Sequence, residues 1–117
     1  MTRNTEKACK AAETLLKELR KIPEPSGKEY KTSELLKNFL LKETDCIIED
    51  VPEQPGNHPS FIARLGEKTD SPARRGKDIV FRADLDAVSV SGADAGGGLG
   101  KGYAHACGHD GHSSLLA

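Results

Sequence analysis

The sequence lacks an excess of either charge: 17 lysines and arginines stand against 18 aspartates and glutamates, a formal net charge of -1 at pH 7. Without a field of one sign there is nothing to gather a polyanion, so nucleic acid and anionic membrane surfaces are not expected partners. Long apolar runs are missing too. Residues 1 to 7 hold nothing of signal-peptide length, and no later stretch approaches the ~20 apolar residues of a membrane span. Cysteine is scarce. Cys9, Cys46 and Cys107 are an odd number at scattered positions, which argues for free thiols in a reducing, cytoplasmic compartment rather than a disulfide framework. Cys9 and Cys46 read as packing residues. Nucleotide signatures are absent as well. Positions 92 to 102 hold six glycines in eleven residues, but the first P-loop glycine would fall at Ala95, Gly102 replaces the Ser or Thr after Lys101, and no G-x-G-x-x-G fits. The segment reads as a flexible loop.

What is present is the composition of one ordinary globular domain: 117 residues, 36% hydrophobic, with 12 glycines. From Thr5 to Ile22 the apolar positions Ala8, Ala12, Leu15, Leu16, Leu19 and Ile22 follow helical spacing. Pro23 and Pro25 end that helix. Ser26-Gly27-Lys28-Glu29 matches a capping box, which predicts a second helix starting there, with Leu35, Leu36, Phe39 and Leu40 on its apolar face, fading by Thr44 or Asp45. Three short β-branched runs, 46–51, 61–65 and 79–83, predict strands, the first two as a hairpin across a proline-rich turn. Gly66 to Lys77, with Pro72 and the pair Arg74-Arg75, reads as an exposed connection. The third run leads into Asp84-Leu85-Asp86, placing carboxylates where a sheet gives out and open α/β folds bind ligands, although aspartates also form turns.

The chemistry is concentrated in His105-Ala106-Cys107-Gly108-His109-Asp110-Gly111-His112, which holds three of the four histidines and one of the three cysteines. A lone histidine or cysteine is ordinarily a packed or hydrogen-bonded residue; four such side chains in eight positions point to metal. In an extended backbone His105, Cys107 and His109 would share a face, with alternate residues about 6.5 Å apart, and thiolate and imidazole are ordinary ligands of one divalent ion. The cluster has neither the C-x-x-C pairs of a structural zinc module nor H-E-x-x-H with its built-in base. Asp110 to Ala117 then reads as the first turns of a helix, with Asp110 near its N-terminus.

Two motifs, F-R-A-D-L-D-A-V at 81–88 and Y-A-H-A-C-G-H-D-G-H at 103–112, together resemble the amidohydrolases of the aminoacylase and carboxypeptidase metallopeptidase family, the group with hippurate, N-acyl-amino-acid and indole-acetyl-amino-acid hydrolases. The stretch from Ile22 to Ser33 is similar to that group's N-terminal helix junction. The resemblance implies an α/β fold, a three-layer α/β/α metallopeptidase-like catalytic domain around a mixed sheet, with residues 1–117 as its N-terminal part. It implies metal ligation by Cys107 and His109, with Asp86 as the active-site carboxylate that orients a ligand imidazole. It leaves open whether Asp84, which stands where other branches place a metal-binding histidine, or His105 touches metal. Ser89 replaces a usual proline, and the glycine-rich loop replaces a longer polar one.

The function so implied is a two-metal amidohydrolase or peptidase acting on a small N-acyl amino acid or short peptide, with zinc or manganese, or cobalt or nickel, as the ions and its remaining ligands and catalytic glutamate beyond residue 117. A homodimer of the longer protein is compatible with the resemblance. The competing reading is a self-contained, non-catalytic metal-binding domain. Redox chemistry at Cys107 is weaker, because no resolving cysteine is near it in sequence.

Overall fold

The computed structural model describes residues 2–51, 58–66, 78–90 and 102–117. Helix α1 spans Arg3–Arg20, beginning two residues before the predicted start because Thr2 Oγ1 accepts the backbone N–H of Thr5 at 3.3 Å. Helix α2 spans Tyr30–Glu43. The two meet through Leu15 and Leu19, one turn apart on α1, and Leu36 of α2; Leu35, Phe39, Phe61, Leu85 and Ala117 pack around them. Leu19 is fully buried, at 0% exposure. Burying such a side chain stabilises the fold by roughly 1.5–3 kcal/mol. Cys46 is buried as expected, but Cys9 is exposed on the outer face of α1. Six helical positions before Leu15, Cys9 has rotated well away from the core face.

The capping box at Ser26 does not form. Residues 25–28 make a turn, closed by the Lys28 N–H on the Pro25 carbonyl at 3.0 Å with Gly27 at φ 82°, so the chain is not helical before Tyr30. Glu24 does the capping instead. Its carboxylate accepts the N–H groups of Thr32 and Lys31 at 2.7 and 3.3 Å and the Thr32 hydroxyl at 2.7 Å. Negative charge there also complements the helix dipole.

Strand β1 (Ile47–Asp50) pairs antiparallel with β2 (Phe61–Arg64) in the register Ile47 to Arg64 and Asp50 to Phe61. This is the predicted hairpin. The predicted third strand at 79–83 is corrected: the segment has no ladder partner among the described residues, and Ile79, Val80 and Phe81 are 82%, 85% and 72% exposed. A strand exists by its hydrogen-bonded neighbour, which β-branched composition alone does not supply. Pairing begins further on, where β3 (Val88–Ser89) meets β4 (Tyr103–Ala104) antiparallel. The connection with Arg74-Arg75 and nearly all of the glycine-rich loop lie outside the described residues. The described chain is thus of the α/β class, with two separate two-stranded antiparallel ladders.

Two links bring the carboxylate segment to the helices. The Ala87 N–H donates to the Glu24 carbonyl at 2.7 Å, beside a parallel bridge between Pro25 and Ala87. Helix α3 (His109–Leu116) packs on α1, and its Ser113 hydroxyl donates to the Asp84 carbonyl at 2.9 Å. No described helix is long and apolar enough to cross a membrane.

Candidate metal centre

The site is built where the Asp84–Asp86 segment passes the start of α3. Gly108 caps α3 at φ 88°, a left-handed conformation that glycine adopts without a Cβ penalty, and this turns the chain so that His109 opens the helix. His109 Nδ1 then lies 2.8 Å from Asp86 Oδ1 and 3.2 Å from the Asp86 carbonyl. Cys107 Sγ is 4.0 Å from the same carbonyl oxygen, so thiol and imidazole converge on one backbone atom. An ionised carboxylate can only accept, so in the neutral imidazole Nδ1 carries the proton and Nε2 keeps its lone pair. His109 and Asp86 are 26% and 27% exposed in their side chains, and Cys107 is exposed, which leaves the donors open to an incoming ion.

The expected common face of His105, Cys107 and His109 is corrected. The alternation of an extended chain ends at Cys107 and Gly108, and His109 belongs to a helix. His105 lies instead within the influence of Asp110, His109, Arg20 and the Leu19 backbone. Both its ring nitrogens are buried without a well-formed hydrogen bond. Burial lowers its pKa below the ordinary histidine value, opposed by the negative charge of Asp110 and the Leu19 backbone and reinforced by His109 and Arg20. His112 is exposed on α3. Asp84 is held by Arg82, whose Nη2 and Nε lie 2.8 and 3.1 Å from its Oδ1. Asp110 is buried and paired with Arg20 Nε at 2.9 Å.

The four-ligand cluster of the sequence therefore divides. Cys107 and His109 gather on Asp86, His105 lies behind with Asp110, and His112 faces out. Among the described residues no three histidine, cysteine or acidic side chains converge on one point. The donor set fits a divalent ion in kind: a soft thiolate beside an imidazole whose tautomer a carboxylate fixes. Sequence reasoning missed Arg20 and Glu24. Arg20 belongs by pattern to a solvated helix face, and only the packing of α3 reveals its role. Glu24 carried a usable signal, an acid between two prolines just ahead of a helix.

Comparison with known proteins gives a consistent set of relatives. The chain is 33% identical over 104 residues to N-acetyldiaminopimelate deacetylase of Exiguobacterium sibiricum, a match covering 85% of this chain and 25% of that protein. It is 36% identical over 98 residues to thermostable carboxypeptidase 2 of Saccharolobus solfataricus, covering 80% of this chain and 22% of the carboxypeptidase. Thermostable carboxypeptidase 1 of the same organism is 34% identical over 103 residues, 86% of this chain and 24% of its own length. The chain spans about a quarter of the length of these curated relatives. No family model matches it, and no solved structure matches it significantly.

Proposed function

We propose that the chain belongs to the amidohydrolase and carboxypeptidase family of these hydrolytic enzymes, as the ligand-bearing N-terminal part of a two-metal hydrolase catalytic domain. The substrate class is an N-acyl amino acid or a related small conjugate, since deacetylase and carboxypeptidase both name the hydrolysis of an amide bond. Cys107 and His109 are the metal ligands this chain contributes. The observation that carries the reading is the 2.8 Å contact between Asp86 Oδ1 and His109 Nδ1 beside Cys107. The helices and ladders form part of a three-layer α/β/α domain around a mixed sheet.

Divalent ions bound there supply an acidified water and a polarised carbonyl. The chain's own residues prepare for this. In the neutral imidazole Asp86 accepts the Nδ1 proton of His109, which leaves Nε2 as the lone-pair donor for an ion. Cys107 presents a thiolate whose charge offsets part of the ion's own. Asp110 is engaged by Arg20 and Asp86 by His109, so neither described carboxylate is left over to act as a general base.

Metal binding by the chain tests this directly. Cys107→Ala and His109→Ala each reduce the zinc retained after dialysis, whereas His58→Ala, remote in sequence and bonded through Nδ1 to the Ser60 N–H at 3.2 Å, leaves it unchanged. Equal zinc content in both cluster variants and the unsubstituted chain overturns the assignment.

A further inference from the structure

Ninety residues separate Arg20 and Asp110 in sequence, yet the Arg20 Nε and Asp110 Oδ2 atoms lie 2.9 Å apart. The carboxylate side chain is 1% exposed and the arginine side chain 62% exposed. We infer that Arg20 is a positioning residue for the metal centre: from the end of α1 it holds the buried Asp110 carboxylate and thereby fixes the angle at which α3 presents His109. The inference rests on the reading of Cys107 and His109 as metal ligands.

The geometry of the turn is what makes a tether necessary. A Cβ built on Gly108 would meet nothing within 4 Å, so no packing at that position sets the direction of the chain as it enters α3. Glycine's own torsions are permissive. The orientation of His109 is therefore set by what grips the first turns of the helix. Three contacts do so. Asp86 holds the imidazole, the Ser113 hydroxyl reaches the Asp84 carbonyl at 2.9 Å, and Arg20 holds Asp110. Asp110 is the residue after His109, about 3.8 Å away along the backbone, so its anchor acts on the ligand with almost no intervening chain. The first two contacts attach α3 to the carboxylate segment; among the described residues Arg20 alone ties its ligand end to α1 through a charged pair.

Removing the arginine leaves a buried carboxylate without its cation. Such a group, with its 2.9 Å partner gone, moves towards water. Movement of Asp110 rotates the first turn of α3 and lengthens the Asp86–His109 contact on which the tautomer depends. Because the arginine side chain is largely exposed, its truncation opens no cavity in the Leu15–Leu19–Leu36 core.

The test is a cobalt(II) titration of the complete 117-residue chain, read from the near-ultraviolet thiolate-to-cobalt absorption, with urea unfolding of the metal-free chain measured alongside. Arg20→Ala weakens cobalt binding by about tenfold, the lower end of the loss for partners that orient a ligand. Arg20→Lys, which keeps the charge, recovers most of it. Lys21→Ala, which breaks the exposed 2.6 Å pair with Glu18 at the same end of α1, changes nothing. Should Arg20→Ala unfold, Arg20→Gln takes its place. Unchanged cobalt affinity in a folded Arg20→Ala or Arg20→Gln chain overturns the inference, whatever the loss of stability, because a clamp between helices with no bearing on the ligands lowers stability alone. Cys107→Ala separates the two failures. If it removes the absorption while the Arg20 variants bind as the parent does, only the positioning role falls; if Cys107→Ala binds as the parent does, the ligand assignment falls and the role of Arg20 with it.

Discussion

Replacing Asp86 by alanine removes the acceptor of the 2.8 Å contact with His109 Nδ1 while leaving both proposed ligands in place. A hydrogen bond to a charged group contributes about 1.5–3 kcal/mol when sheltered, and fully exposed pairs contribute less than about 1 kcal/mol. The Asp86 and His109 side chains are 27% and 26% exposed, mostly sheltered but reachable by water, which places the effect near the lower end of the sheltered range. At about 1.4 kcal/mol per tenfold, Asp86→Ala weakens zinc binding by roughly tenfold. Asp86→Asn, whose amide oxygen still accepts from Nδ1, loses less. Competition against a chromophoric chelator measures both. Asp86→Ala binding zinc as tightly as the parent chain, under conditions where His109→Ala does not, refutes the claim that the carboxylate tunes the ligand. Tighter binding in Asp86→Asn than in the parent refutes the charge argument even if the hydrogen bond survives.

Two further outcomes follow from the same structure. Glu24→Ala deletes the acceptor for the Thr32 and Lys31 N–H groups, and the loss of that cap costs about 1–2 kcal/mol in urea unfolding; a change below about 0.3 kcal/mol would mean that water replaces the carboxylate at no cost. The 117-residue chain supplied with zinc or manganese does not hydrolyse N-acyl amino acids, because its described residues bring no third donor to Cys107 and His109 and a catalytic zinc ordinarily keeps three protein ligands; metal-dependent turnover abolished by Cys107→Ala contradicts this.

The helices were legible because their determinants are local. Leu15, Leu19 and Leu36 recur at helical spacing whatever the rest of the chain does, and they form the observed core. The β1–β2 hairpin was legible for the same reason, two strand-forming runs on either side of a proline-rich stretch of sequence. The run Ile79-Val80-Phe81 misled because strand formation is non-local. Its composition states a preference for a sheet but not which strand lies beside it, and among the described residues none does. The capping box misled through competition. Ser26 and Glu29 have the right spacing, but Gly27 and Pro25 favour a turn over the same residues, and Glu24 reaches across that turn to the same helix.

The site shows how far one-dimensional spacing can be taken. Alternation placed His105, Cys107 and His109 on one face, whereas Cys107 and His109 both lie near the Asp86 carbonyl across a left-handed glycine and a helix start rather than along a continuous strand. Asp86 was named from a motif 23 residues upstream, and its carboxylate lies 2.8 Å from His109 Nδ1. Asp110 was read as a favourable charge near a helix N-terminus, which holds, but the dipole contributes only about 0.3–1 kcal/mol, too little to bury a carboxylate to 1% exposure. A cation is therefore required by energetics even before its identity is known, and Arg20 at the end of α1 is the group that meets the requirement. A short motif names the atoms that react or bind, whereas the groups that hold them at working angles come from distant elements, and a buried charge in the motif is the mark in the sequence that such a group must exist.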